Sequence, residues 1–189
     1  MVAVNPERKD QTWLYVGLAF FVAWFVVLQF YNPLRPSNAP RLVPGLDLGT
    51  ADFSWKLHDL EGSPVELSSL KGKPIFLNIW ATWCGPCVKE MPSIAKLAAD
   101  PKLKGKGIAF VCVSVDDSPD SVKRFLTGKN WPMTVLHANG VPKVFETEGI
   151  PATYIIGPDG KIVASEVGSA EWDAPEVVSF LEKLARDAR

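Results

Sequence analysis

Cysteine, histidine and charge of one sign are all scarce in this chain. Its 189 residues contain three cysteines and two histidines, and the formal net charge is −1. Three cysteines are too few for a disulfide scaffold, and any one pair leaves a thiol over. His58 and His137 are isolated in what read as loops and make no zinc pattern with the cysteines, so no zinc site is expected. No block of like charge is long enough to grip a phosphate backbone, which sets aside a nucleic-acid partner. What the chain does have is apolar residues, 47% of the total, part of them gathered in one N-terminal run.

That run extends from Trp13 to Tyr31, nineteen residues with no charge and one strongly polar group, Gln29. As a helix it is long enough to span a hydrocarbon core of about 30 Å. Trp13, Tyr15, Phe30 and Tyr31 place aromatic rings near both ends, where an interface would hold them. A cleaved signal peptide is the alternative. The apolar stretch is longer than the usual ~7–15-residue signal core. Ser37-Asn38-Ala39, the nearest approach to a cleavage site, is followed directly by Pro40. Arg8, Lys9, Arg35 and Arg41 are spread over both sides and leave the orientation undecided. The expected organisation is a tail at 1–11, a transmembrane anchor helix at 12–31, a proline-rich linker at 32–48 and a folded domain at 49–189.

The chemistry is concentrated in Trp83-Cys84-Gly85-Pro86-Cys87. The apolar run 74–80 reads as a buried strand, and 84–99 has helical spacing, with Met91, Ile94, Ala95 and Ala98 on one face. Two cysteines two residues apart at a strand-to-helix junction form a redox motif. Thiolate is the nucleophilic form of cysteine. A helix N-terminus favours it through unpaired N–H groups and the helix dipole. Cys84 is therefore the candidate attacking thiol and Cys87, one turn further in, the candidate resolving thiol. Pro86 suits a first helical turn. No cofactor beyond the Cys84–Cys87 disulfide is expected.

Elsewhere the pattern alternates strands and helices. Residues 53–57 and 65–67 read as a small hairpin, 108–115 as a second buried strand, and 119 to about 127 as a helix. Thr134-Val135-Leu136 is a short apolar piece and 142–146 a short helix. Strands at 152–156 and 161–167 flank Gly157-Pro158-Asp159-Gly160, a strong turn signal. A helix at 174–186 closes the chain. The expected fold class is α/β, a mixed sheet flanked by helices. Cys112, between valines on a buried strand, is expected to be a core residue rather than a third redox thiol. Trp55 and Trp80 read as packing residues.

Several stretches together resemble the thioredoxin fold, and more closely the membrane-anchored TlpA/ResA-type thiol-disulfide oxidoreductases. They are Asn78-Ile79-Trp80-Ala81-Thr82-Trp83-Cys84-Gly85-Pro86-Cys87, Glu90-Met91-Pro92, Gly149-Ile150-Pro151-Ala152-Thr153-Tyr154 and Gly157-Pro158-Asp159-Gly160-Lys161. The resemblance covers roughly residues 48 to 187, with 101–145 as the family's extra central segment. It implies a cis peptide at Ile150-Pro151 beside the cysteines, presenting backbone to an incoming peptide. An ordinary proline at a strand start is the alternative. Trp83, Gly85, Pro86, Ile150 and Pro151 would thus contact substrate, with Trp83 shielding the thiol. Pro92, inside the motif helix, matches a family proline and reads as structural.

Where thioredoxins carry a buried Asp, this chain has Asn78, which cannot titrate. The resemblance points instead to Glu90, three residues after Cys87, as a group that takes the Cys87 proton or tunes its acidity. A solvated helix-surface carboxylate is the alternative. The redox motif favours a domain on the extracytoplasmic (periplasmic) side of the cytoplasmic membrane, and the Gly-Pro pair, which resembles that of reducing thioredoxins, implies a protein-disulfide reductase. Its family-typical substrates would be disulfide-bearing proteins such as apocytochrome c or copper-site proteins, and its electron donor a membrane protein similar to CcdA or DsbD. Two other functions compete. A copper chaperone would use Cys84, Cys87 and His137, although the related copper-delivering group has a wider cysteine spacing. A peroxiredoxin-like peroxidase lacks its Pro-x-x-x-Thr-x-x-Cys signature before Cys84.

Overall fold

The computed structural model describes residues 12–30, 38–40, 42 and 48–188. By its internal contacts the chain divides into two units, Met1–Pro36 and Ser37–Arg189. The first contains helix α1 (Thr12–Phe30), of which the side chains at 15–25 are described. Among the described residues, no helix is long and apolar enough to cross a membrane. The boundary expected at 11/12 borders, and that at 31/32 lies within, stretches outside the described residues.

The second unit is built on one seven-stranded sheet. In chain order its elements are β1 (Lys56–His58), β2 (Pro64–Glu66), β3 (Ile75–Trp80), α2 (Gly85–Ala98), β4 (Ala109–Ser114), α3 (Pro119–Leu126), β5 (Thr134–His137), β6 (Ala152–Ile156), β7 (Ile162–Val167) and α4 (Pro175–Asp187). The sheet order is β2-β1-β5-β4-β3-β6-β7. β3, β4 and β5 run parallel, and the remaining pairs are antiparallel. The parallel pairs need crossovers, which α2 and α3 supply. The β6–β7 turn works because Gly160 has φ +83°, and a Cβ there would meet the Phe53 ring at 3.1 Å.

All six residues of β3 are buried, as the apolar run requires. Their alternation divides the interior. Phe76 and Trp80 join Met91 and Ile94 of α2 and Leu181 of α4 in one cluster. Ile75, Leu77 and Ile79 join Leu57, Leu67, Phe145 and Tyr154 in the other. The Phe76 ring meets the Trp172 ring edge-on, at 5.0 Å between centroids and 86° between planes.

The mixed sheet flanked by helices matches the expected fold class. Three readings need correction. Thr134–His137 is a full strand, paired in parallel with β4 from Val111↔Thr134 to Ser114↔His137. Four residues are too short for periodicity to reveal, and the partner lies far away in the chain. The stretch 101–145 is therefore not merely an addition, because it supplies β4 and β5. His58 and His137 are not in loops either. Each ends a strand, and they face one another across the β1–β5 pairing.

Trp172 and Phe76 are fully buried, so truncating either ring leaves a large void. Phe76→Ala is expected to destabilise the folded domain by about 3–5 kcal/mol, measured as a lower urea midpoint with unchanged slope.

Candidate active site

The loop leaving β3 ends at Cys84, the N-cap of α2, with extended φ −87° and ψ 102°. A capping side chain accepts a bond from a free N–H of the first turn. Here Cys84 Sγ accepts the Cys87 backbone N–H at 3.2 Å. The two sulfurs are joined in a disulfide, with Cα atoms 5.2 Å apart. The same N–H that caps the helix would stabilise a Cys84 thiolate after reduction.

Cys87 is fully buried and Cys84 is 7% exposed, whereas Trp83 is 69% exposed. Gly85 and Pro86 are also exposed. The disulfide is thus little exposed itself and lies next to an open Trp83-Gly85-Pro86 surface. Cys84 Sγ lies 3.6 Å from the Ile150 carbonyl oxygen. The Ile150–Pro151 peptide is cis, as the family resemblance implies. All the residues singled out as substrate contacts therefore lie within the neighbourhood of one disulfide. On the Ile150 side a cavity of about 230 Å³ opens between Ile79, Val141, Phe145, Glu146, Thr147 and Ile150.

Glu90 is the main revision. It is neither a solvated surface group nor hydrogen-bonded to Cys87, and its exposure is 2%. Oε1 accepts the Asn78 Nδ2–H at 2.8 Å. Oε2 accepts the Ala170 N–H and the Trp172 indole N–H, each at 3.1 Å. Burial pushes the Glu90 pKa up, with a smaller push from the Glu166 charge, against the pull of these donors. Asn78 also donates to Thr153 Oγ1 at 2.9 Å, and its own Oδ1 has no protein partner. Asn78, the position of the thioredoxin aspartate, therefore links Glu90 and Thr153 in a buried polar row.

Trp172 and Ala170 were not foreseen. They lie far from the motif in sequence, and the loop that carries them is held by α2 and by the linker. Ser93 Oγ accepts the Trp172 N–H at 3.1 Å. Asn38 grips the same loop, donating to the Ser169 carbonyl at 2.6 Å and accepting the Glu171 N–H at 2.9 Å.

Cys112 is fully buried, opposite Asn78 in the sheet, and burial together with the Glu90 charge raises its thiol pKa far above the ordinary range. His137 is 5% exposed and its Nε2 sits 2.7 Å from the Asp116 carbonyl oxygen. Among the described residues, no group of three or more His, Cys, Asp or Glu side chains is placed to hold a metal ion. His137, the extra ligand considered for a copper chaperone, is engaged by the Asp116 carbonyl.

Residues 43–183 match the Redoxin family. The thiol-disulfide oxidoreductase ResA of Bacillus subtilis (strain 168) is 37% identical over 165 residues, 86% of this chain and 88% of that protein. The crystal structure of a proposed thiol-disulfide oxidoreductase from Bacteroides vulgatus superposes with a TM-score of 0.61 at 31% identity, over 77% of this chain and 99% of that one. A secreted disulfide oxidoreductase of Mycobacterium tuberculosis, homologous to DsbE of E. coli, gives a TM-score of 0.55 at 25% identity, over 69% of this chain and 100% of the other. The architecture is thioredoxin-like, and disulfide-containing substrates in general are implied.

A raised carboxyl pKa means that the folded state holds its proton more tightly than the unfolded state, for which the ordinary value is 4.5. Stability should then fall as pH rises from that value through the folded pKa. In Glu90→Gln that decline is expected to vanish, since an amide fits between the Trp172 donor and a flipped Asn78. Urea denaturation of the oxidised protein across pH 4–8, compared between wild type and variant, measures this; equal slopes would refute it. Cys112 should also label with a thiol reagent only as fast as the native fold opens, so that rapid labelling of folded protein would contradict its burial.

Proposed function

The chain belongs to the redoxin family and is a thioredoxin-like thiol-disulfide oxidoreductase, and from that premise we propose that it reduces partner disulfides through Cys84 and Cys87 while tethered to a membrane by the segment 12–31. The observation that carries this reading is the Cys84–Cys87 disulfide at the N-cap of α2, beside the Ile150 carbonyl and next to an exposed Trp83.

In the reduced protein, Cys84 thiolate attacks one sulfur of a partner disulfide. A mixed disulfide forms, and the partner's other sulfur leaves as thiolate. Cys87 then loses its proton and attacks Cys84 Sγ. The Cys84–Cys87 bond closes and the partner leaves with two thiols. Two electrons have passed to the partner, and a membrane dithiol donor of the CcdA or DsbD kind restores them. Trp83, Gly85, Pro86, Ile150 and Pro151 form the surface that receives the partner. The Ile150 backbone pairs with an extended partner segment, and the neighbouring cavity seats one of its apolar side chains. Glu90, one turn beyond Cys87 and with a raised pKa, is the candidate acceptor for the Cys87 proton.

Anchoring is supported by the composition of α1. Leu18, Phe20, Phe21, Trp24 and Phe25 are all more than half exposed, an apolar surface along the helix. Hydrocarbon would cover it. The secreted relative and the prevalence of disulfides outside the cytoplasm favour an extracytoplasmic domain. The Gly-Pro pair between the cysteines resembles that of reducing thioredoxins, and substrates such as apocytochrome c or copper-site proteins suit this setting.

Direction is testable on the full chain in detergent. Equilibration against glutathione or dithiothreitol, followed by tryptophan fluorescence, should give a potential near that of thioredoxin, roughly −270 mV. A value near about −120 mV would instead identify an oxidant. Cys87→Ser is expected to accumulate a mixed disulfide on Cys84 that wild type does not.

A further inference from the structure

Asp116 lies just beyond the end of β4 and is 3% exposed. Oδ1 accepts the Thr82 hydroxyl at 2.5 Å. Oδ2 accepts the Thr82 backbone N–H at 2.9 Å and the Ser114 hydroxyl at 2.7 Å. The Asp116 backbone is held too. Its N–H donates to Ser114 Oγ at 3.0 Å, and its carbonyl oxygen lies 2.7 Å from His137 Nε2. A carbonyl only accepts, so that nitrogen carries the ring proton. One buried side chain thus grips both polar ends of Thr82, and its own backbone is locked in place from β5.

Thr82 stands two residues before Cys84. On either side of it the backbone is tied down as well. Val115 N–H donates to the Trp80 carbonyl at 2.9 Å, and Cys84 N–H to the Ala81 carbonyl at 3.2 Å. Without Asp116, the segment Ala81–Trp83 would have a free amide and a free hydroxyl at its midpoint. Thiol-disulfide exchange needs the attacking sulfur held in line with the bond it breaks, and loosened geometry costs rate.

We infer that Asp116 is a positioning residue of the redox site, holding the Thr82–Trp83–Cys84 backbone so that the Cys84 sulfur stays at the α2 N-cap and faces Ile150. The inference rests on the reading of Cys84 as the attacking thiol. The role is geometric, which sets a specific requirement. An asparagine can keep every contact. Its Oδ1 can take the Thr82 N–H and the Ser114 hydroxyl, and its Nδ2 can donate to Thr82 Oγ1, which then accepts. An alanine keeps the backbone contacts and none of the three made by the side chain.

The test uses the reduced full chain in detergent and its rate of reaction with glutathione disulfide, under conditions where near-ultraviolet circular dichroism and slow Cys112 labelling show native protein. Asp116→Ala is expected to slow the exchange at least tenfold, and Asp116→Asn to restore it to within about threefold of wild type. Thr82→Ser should match wild type, while Thr82→Val, which removes only the hydroxyl contact, should be several-fold slower. That pair decides the matter if Asp116→Ala does not fold. A wild-type rate in folded Asp116→Ala, or equal rates in Thr82→Val and Thr82→Ser, would overturn the inference alone. An Asp116→Asn variant as slow as the alanine would also overturn it, because charge rather than grip would then be at work. A wild type that exchanges with no disulfide would remove the redox reading of Cys84–Cys87, and this inference with it.

Discussion

A carboxylate on the inner face of a helix has to be met by donors, because leaving a charge unpaired in the interior costs several kcal/mol or more. Glu90 imposes that constraint on this fold. Its donors come from β3, through Asn78, and from the loop between β7 and α4, through Ala170 and Trp172. Satisfying one side chain therefore docks α2 against the sheet and the C-terminal loop against α2. Ser93 adds a second tie between α2 and that loop, and Asn38 adds the end of the linker. The disulfide sits one turn above this cluster, so the redox pair stands on a buried polar platform rather than on a purely apolar one.

The two ends of the motif are supported differently. On the helix side, the resolving sulfur is fixed by burial: Cys87, Met91 and Ile94 are fully inside the cluster that also holds Phe76 and Trp80. On the loop side, the attacking sulfur is fixed by hydrogen bonds. Cys84 caps α2, and the backbone ahead of it is tied to residues 114–116 through Trp80 and Thr82. Packing suits a group that must stay hidden until its partner thiol has reacted. Directional bonds suit a group that must be presented at the surface in one orientation.

Much of the central sheet was legible because its strands announce themselves. The runs 74–80, 108–115 and 152–156 are apolar enough to be buried on both faces, and the observed strands lie within them. The Gly157-Pro158-Asp159-Gly160 turn joined β6 to β7 as its residues suggest. β5 was not legible. A four-residue strand has too few alternations to stand out, and its place in the sheet depends on pairing with β4, which no local pattern encodes. The histidines were misplaced for the same reason. His137 became a strand residue only once β5 had its partner.

What the sequence by itself determined is the chemistry and its local setting. Two cysteines across Gly-Pro at a strand-to-helix junction place one sulfur at an N-cap and the other a turn inside, because helix geometry allows little else. The nineteen uncharged residues near the N-terminus and the valines around Cys112 are likewise properties of adjacent residues. Only the tertiary structure decided what surrounds the sulfurs. Whether Glu90 faced water or the interior depended on Asn78, Ala170 and Trp172, up to 82 residues away. That Asp116 acts as a clamp depended on Thr82, 34 residues earlier. Contacts of that range are chosen by the packing of whole elements, where burial makes each unmet polar group expensive, and so they become readable only when the chain has folded.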